Sequence, residues 1–355
     1  TKKCILAQSL YIVTMGSVNF RPTETGMTSF KALLVEKQED KSFTRGITER
    51  SLNDLPDGTL LIKVEYSSLN YKDALSATGN PGVSRNFPHT PGIDAAGTVV
   101  SCDDGRFKEG DEVIITGYDL GMNTPGGFGE YIRIPSEWAV AKPEGLSLKE
   151  SMVIGTAGFT AGLSVQGLVE HGITPDKGDI LVTGATGGVG SVAVALLAKA
   201  GFSVVACTGK KEHESFLKNL GASKVITRDE LLESKERPML KEQYAGAVDT
   251  VGGEYLAQAI KSTQYGGSVT CCGLTASADL NVSVFPFILR GVSLLGIDSV
   301  QCPMPPRLRL WDKLASEWKL ECLNDLTEEV SLDDVSQKID AILKGELSGR
   351  TLVKL

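Results

Sequence analysis

The chain reads as a two-part α/β protein, a compact barrel-like β region followed by a doubly wound parallel sheet, and three observations predict this. The first is length: 355 residues exceed what one hydrophobic core usually organises. The second is a series of short runs from Phe30, namely KALLVE, TLLIKVEYSSL, GIDAAGTVVSC, GDEVIITG and GEYIRIP, bounded by Gly, Pro and Asp. Such runs are strands of a small barrel. The third is an alternation of strand and helix from Asp179, which specifies parallel strands joined by right-handed crossovers.

The elements follow in order. From about Ser147 the texture becomes helical, LKESMVIGTAGFTAGLSVQGLVE carrying apolar residues at three- and four-residue spacing until Gly172. DILVTG then leads to SVAVALLAKA, FSVVACTG to EHESFLKNL, KVIT to RDELLES, AVDTVG to EYLAQAIKS, and GSVTCCG follows. Gly201 and Gly221 fall just past two of these helices, where a left-handed cap is wanted. Pro303, Pro305 and Pro306 break the rhythm before LRLWDKLASEW, and GRTLVKL closes the chain as a strand.

The stretch TGATGGVG at Thr183–Gly190 sits between the strand DILV and the helix SVAVALLAKA. Taken from Ala185, with Gly187 and Gly190 in the later glycine slots, it matches the dinucleotide-binding fingerprint with alanine for its first glycine. Glycines let the backbone approach a pyrophosphate, and the helix amino terminus offers free N–H groups to its oxygens. The competing reading is a tight strand-to-helix turn with no ligand.

An acid that would hold an NAD ribose belongs at the end of FSVVAC, about twenty residues beyond the loop. The chain instead reads Thr208, Gly209, Lys210, Lys211. A hydroxyl and ammonium groups suit a 2′-phosphate, so NADPH is expected over NADH. Lys210 also reads as a solvated helix-start residue beside Glu212, and Arg228 as either a second phosphate contact or a surface arginine.

With 41% hydrophobic and 23% charged residues and a formal charge of −8, the composition is that of an ordinary globular protein. The acidic balance excludes a nucleic-acid or anionic-membrane surface, and no apolar run is read as reaching spanning length. Seven cysteines form neither a disulfide framework nor a C-x-x-C pair, which fits a reducing cytoplasm. Cys271 and Cys272 lie on a strand that looks buried and read as packing residues. His89, His171 and His213 have no partner at metal-ligand spacing and read as surface or turn histidines. Residues 1–26 read as an extension, dispensable and without a targeting role, with Met27 as the natural start.

The order of elements, with GTAGFTA at Gly155–Ala161, the glycine loop, LGA at Leu220–Ala222 and DTVGG at Asp249–Gly253, resembles the medium-chain dehydrogenase/reductase superfamily. The strings SSLNYKDAL at Ser67–Leu75, RNFPHTPGID at Arg85–Asp94, VIGTAGFTA from Val153, PFILRGVSLLGIDS at Pro286–Ser299 and the ending GRTLVKL narrow the resemblance to its acryloyl-CoA reductase group of quinone-oxidoreductase-like proteins. The implied fold is a GroES-like β-barrel catalytic domain, residues 27–150 and 303–355, plus a doubly wound Rossmann NADP-binding domain, residues 151–302. Where zinc members carry a ligand-bearing Gly-His-Glu triplet, this chain has Gly92, Ile93 and Asp94, and the early thiolate position falls in NYKD at Asn70–Asp73. The four-cysteine lobe is absent as well, so no metal is expected. Thr208 and Lys210 stand where the group commonly has Ser and Arg, and Phe216 where Tyr is usual; lysine lacks arginine's bidentate fork.

The resemblance places Tyr71 beside the nicotinamide, positioning ring or substrate or supplying a proton, against the alternative of a core-edge tyrosine. Asn70 is expected to hydrogen-bond the ribose or the substrate carbonyl, and Lys72 and Asp73 to form a solvated pair. Cofactor-side positions are Tyr71, Thr160, Thr186, Gly187, Gly188, Val189, Thr208, Gly209, Lys210, Arg228, Thr250, Leu274, Leu294, Asp298 and Lys354. The implied reaction is hydride transfer from NADPH to the β carbon of a short 2-enoyl-CoA, acryloyl-CoA to propionyl-CoA, without zinc. The alternatives are a quinone or enone reductase and an NADPH-binding protein without turnover. A homodimer is expected, the apolar VSLLGI at Val292–Ile297 pairing its edge across a two-fold axis.

Overall fold

A computed structural model describes residues 29–355, so the expectations for residues 1–26 and Met27 lie outside the described residues. The barrel region begins with an antiparallel pair, β1 (Ser29–Lys37) and β2 (Phe43–Ser51). It continues with β3 (Leu60–Leu69), α1 (Tyr71–Ala77), β4 (Asp94–Cys102), β5 (Glu112–Thr116), β6 (Tyr131–Ile134) and β7 (Val140–Ala141). The sequence reading missed β2, because FTRGITERS is mostly polar, has no fully buried residue and places only Phe43 and Ile47 against the core. The long helix α2 (Leu148–Glu170) follows.

Then come β8 (Asp179–Val182), α3 (Gly188–Lys199), β9 (Val204–Thr208), α4 (Glu214–Asn219), β10 (Lys224–Thr227), α5 (Arg228–Leu232), β11 (Tyr244–Asp249), α6 (Gly253–Ser262), β12 (Thr263–Cys271), α7 (Phe285–Arg290) and β13 (Ser293–Gly296). These six strands pair in the order β10-β9-β8-β11-β12-β13, all parallel. The order reverses between β8 and β11, where a doubly wound sheet opens its ligand crevice. Gly201 and Gly221 take φ of 86° and 102° as expected of left-handed caps.

The chain ends with α8 (Met304–Ala315), β14 (Thr327–Ser331), α9 (Val335–Leu343) and β15 (Arg350–Lys354). β15 returns to the barrel sheet, antiparallel to β3 and parallel to β14. Fully buried Arg307 on α8 joins the two halves: its guanidinium donates to the carbonyls of Thr116, Ser299 and Val300 and lies over the rings of Tyr118 and Phe159.

Two expectations need correction here. The helix α2 is long and apolar enough to cross a membrane by length and composition, but 72% of that window is buried inside the protein, so its apolar surface belongs to the core. His89 is not a surface histidine. It is 3% exposed, its Nε2 lies 2.9 Å from the Gly121 carbonyl, and burial lowers its pKa and keeps the ring neutral.

The helix α2 is also not continuous. Gly155 has φ 50° and ψ −160°, breaking it after its second turn. A β-carbon there would lie 2.6 Å from both Asp94 Oδ2 and Ser68 Oγ, so glycine is required by conformation and by space. The break presents the Thr156 N–H, at the start of the second segment, to the Asp94 carboxylate.

Candidate active site

The glycine loop adopts the expected strand–turn–helix form. Gly184 has φ 60° and makes the left-handed turn, which explains why alanine is tolerated next to it: Ala185 is buried and donates its N–H to the Cys207 carbonyl. Gly190 packs so close to Gly184 that a β-carbon would overlap the Gly184 carbonyl oxygen. Gly187 caps α3, and a β-carbon on it would meet only Gly184 O, at 3.3 Å, leaving its outer face open. The first N–H groups of a helix have no intrahelical acceptor. Those of Gly188 and Val189 are therefore presented to that open side, as an anionic pyrophosphate requires.

Around this loop the structure gathers most of the expected cofactor positions. Thr186 and Thr208 hydroxyls lie 3.2 Å apart. Beyond β9, a β-carbon on Gly209 would touch the Arg228 guanidinium at 2.8 Å, so Arg228 lies across Gly209. On the other side of the order reversal, Thr250 donates to the Thr183 carbonyl. Buried Asp249, its pKa raised chiefly by burial, accepts from Thr183 Oγ1 and Gly252 N. A cavity of about 560 Å³ opens past β11, β12 and β13, with Leu274, Asp298, Cys271 and Cys272 in its lining. Both thiols are only half-buried at its wall, and burial raises their pKa. Thr160 donates to Ser299 Oγ, next to Asp298.

Two expected positions stand apart. Lys354 is four residues along β15 from Arg350, about 13 Å at strand rise, and lines a different hollow with Lys31, Glu130 and Glu329. Leu294 is part-way along the open edge strand β13, paired with Val269 on one side and 37% exposed. Both lie in strings shared with the resembled group, and each is reached by a strand other than the one that carries the loop.

The barrel contributes α1, whose first residue is Tyr71, 40% exposed, with Asn70 as its N-cap. The structure overturns the expectation for Asp73. It forms no solvated pair with Lys72: it is fully buried and accepts from Asn70 N at 2.7 Å and Ile93 N at 2.8 Å. Burial, then the charge of Asp94, pushes its pKa up to about 7. Asn70, expected to bond the ribose or the substrate carbonyl, is engaged within the protein: its Nδ2 donates to Asp94 Oδ2 at 2.8 Å and its Oδ1 accepts from Arg350 Nη1 at 3.4 Å, so the amide braces the barrel.

Asp94 and Arg350 centre this cluster. Asp94, fully buried, accepts from Ser68 Oγ, Asn70 Nδ2, Thr156 N and Thr156 Oγ1 at 2.6–3.0 Å, and faces Arg350 Nη2 at 3.9 Å. Arg350, 2% exposed, donates to Val153 O, Ser68 Oγ and Leu69 O. Its Nη1 would lie 3.0 Å from a β-carbon on Gly188. One guanidinium thus joins the glycine loop to the start of α1. The spacing Asn70-x-x-Asp73, half of a reciprocal helix cap, was the available signal for Asp73. Nothing in sequence pointed to Ser68, Thr156 or Arg350. Among the described residues no group of three His, Cys, Asp or Glu side chains converges as a metal site.

Two family models match the chain, the alcohol dehydrogenase GroES-like domain over residues 56–144 and the zinc-binding dehydrogenase domain over 188–314. The YhfP protein of Bacillus subtilis, which carries a provisional quinone oxidoreductase name, is 49% identical over 92% of this chain and 99% of its own length. The acrylyl-CoA reductase AcuI of Ruegeria pomeroyi is 45% identical over 91% and 98%. The chain belongs to the medium-chain dehydrogenase/reductase superfamily. Among superfamily structures, that of Escherichia coli YhdH with bound NADPH superposes with a TM-score of 0.88 at 46% identity, covering 91% of this chain and 99% of that one. Bacillus subtilis YhfP with NAD bound gives 0.90 at 49%, covering 92% and 100%. The barrel is therefore the superfamily's GroES-like domain and the parallel sheet its Rossmann domain.

Proposed function

We propose that this superfamily member is an NADPH-dependent, zinc-independent reductase of the C=C bond of a short 2-enoyl-CoA, converting acryloyl-CoA to propionyl-CoA. The observation that carries the metal-free part is the engagement of Asp94. Asp94 stands at the acid position of the zinc members' ligand-bearing triplet, whose histidine slot is Ile93 here; its two oxygens accept from four donors and face Arg350, so they are engaged within the protein. The open face of Gly187, the N–H groups of α3 and the Arg228 guanidinium fit a phosphorylated dinucleotide. The substrate class is supported by the named activity of the Ruegeria pomeroyi relative. The catalytic domain is proposed as 27–150 and 303–355, the cofactor domain as 151–302, the enzyme as cytoplasmic with free thiols, and the assembly as a homodimer.

NADPH, when bound, supplies the hydride delivered to the β carbon. The chain's own part is to hold donor and acceptor in line and to place a proton donor at the α carbon. Gly187, Gly188 and Val189 take the pyrophosphate on α3. Asp73 holds the Asn70 N–H and so fixes the first turn of α1, from which half-exposed Tyr71 reaches outward. Tyr71 orients the ring or substrate, or delivers the proton. Arg350 keeps α1 in register with the glycine loop.

The test is steady-state turnover with NADPH across acryloyl-CoA, longer enoyl-CoA thioesters and free quinones, for the wild type and Tyr71→Phe. The expected result is highest kcat/KM on acryloyl-CoA, and a fall of about ten- to a thousandfold in kcat for Tyr71→Phe with little change in NADPH affinity. Faster reduction of quinones than of any enoyl-CoA selects the second reading, a quinone reductase, which the name of the Bacillus subtilis relative favours. NADPH binding without consumption on any of these substrates identifies a non-catalytic binder.

A further inference from the structure

Two basic side chains flank the end of β9 and are placed differently. Lys210 is half-buried and its ammonium is already held: Nζ donates to the Leu347 carbonyl at 2.5 Å and lies 3.3 Å from Ser348 Oγ. Its backbone N–H donates to Thr208 Oγ1 at 3.0 Å. Two of three ammonium donors are thus directed at the loop before β15, and burial lowers the Lys210 pKa. Arg228 is exposed, lies across Gly209 and over the Tyr255 ring at 5.7 Å, and makes no ion pair among the described residues. Its guanidinium fork is free for an anion.

The loop that Lys210 holds is structurally connected to the cofactor site. Gly349 N donates to the Thr186 carbonyl at 2.9 Å. Gly349 has φ 65°, and a β-carbon on it would overlap the Leu326 carbonyl, so its conformation is determined from both sides. The next residue is Arg350, which braces Asn70 and approaches Gly188. A tie from Lys210 to Leu347 therefore acts on Arg350 and on the backbone of the glycine loop, whose proposed ligand, the pyrophosphate, is common to NADPH and NADH.

We propose that Lys210 is a positioning residue, a strut that holds residues 347–350 of the return segment against the glycine loop, and that it is not what distinguishes the two coenzymes. The proposal rests on the NADPH reading above and reassigns one of its residues, since position and charge alone had made Lys210 a phosphate contact. Selectivity then falls to the free guanidinium of Arg228.

Calorimetric dissociation constants for NADPH and NADH, with hydrogen exchange of residues 345–350, test this on the full chain for the wild type, Lys210→Ala, Lys210→Met and Arg228→Ala. Both Lys210 variants are expected to weaken the two coenzymes by a similar factor, with the NADPH/NADH affinity ratio changing less than about threefold, and to exchange the 345–350 amides faster. Arg228→Ala is expected to lower the ratio by about tenfold or more without changing that exchange. Loss of the ratio by more than about threefold in the Lys210 variants, or unchanged exchange in 345–350, overturns the strut. A wild type binding NADH as tightly as NADPH instead refutes the coenzyme reading, and leaves the exchange measurement to decide the strut.

Discussion

Replacing Arg350 by methionine tests the buried cluster most sharply. The substitution keeps an unbranched apolar side chain but removes the cation facing Asp94 and near Asp73, together with donors to Val153 O, Ser68 Oγ and Asn70 Oδ1. Both carboxylates are fully buried, and taking one partner from a buried ionic cluster costs about 3–5 kcal/mol. At about 2 °C per kcal/mol for a chain of this size, the melting temperature should fall by about 6–10 °C at pH 8. Uptake of a proton by Asp73, whose pKa is already raised to about 7, relieves part of the uncompensated charge, so the deficit should narrow as the pH is lowered toward about 5.5. Adding Asp94→Asn to Arg350→Met should recover part of the loss, a coupling that a double-mutant cycle reads directly. Scanning calorimetry at two pH values provides the assay. Wild-type melting of Arg350→Met, or a deficit equal at both pH values and additive with Asp94→Asn, would refute the cluster as the brace of the site.

Because the folded-state pKa of Asp73 is raised to about 7 from the ordinary 3.8, the folded protein holds a proton that the unfolded chain releases. Its contribution therefore destabilises the fold progressively as pH rises from about 4 to about 7, by at most about 4 kcal/mol; urea unfolding of Asp73→Asn should show a flatter pH dependence in that window. Metal analysis should find less than stoichiometric zinc, and chelator treatment should leave turnover unchanged; loss of activity restored by zinc would defeat the metal-free reading. The open edge of β13 lies near exposed apolar side chains on α7, among them Ile288 at 68% and Leu289 at 59%. Light scattering at micromolar concentration should give a dimer, and Ile288→Asp with Leu294→Asp a monomer.

The parallel sheet was legible in the sequence because every strand in it is followed by turn chemistry and most by a periodic helix, local signals that tertiary packing had no reason to override. The glycine loop was legible for the same reason, down to the open Gly187 and the close-packed Gly190. What sequence did not disclose was the network around Asp94. Its members, Ser68, Asn70, Asp73, Thr156 and Arg350, come from β3, α1, α2 and β15, and their pairing depends on contacts up to 282 residues apart. Asp73 looked solvated because an acid beside a lysine usually is; the buried N–H groups of Asn70 and Ile93 that it satisfies are invisible before folding. Gly155 appeared as one helical position among others, and only the crowding by Asp94 and Ser68 explains why a helix is broken there.

The return of β15 to β3 also sets an order of assembly. β3 pairs with β4 and β6, both of which follow it before residue 135, but its pairing with β15 waits for residues 350–354. All six strands of the cofactor sheet lie between residues 179 and 296 and need nothing from either end to pair. A ribosome releases the chain from its amino terminus, so the cofactor sheet can be complete while the barrel sheet still lacks two strands, β14 and β15, and with them Arg350. The site around Tyr71 therefore becomes whole only after the cofactor sheet; pulse-labelled exchange should find β8 and β11 protected before β3 and β15.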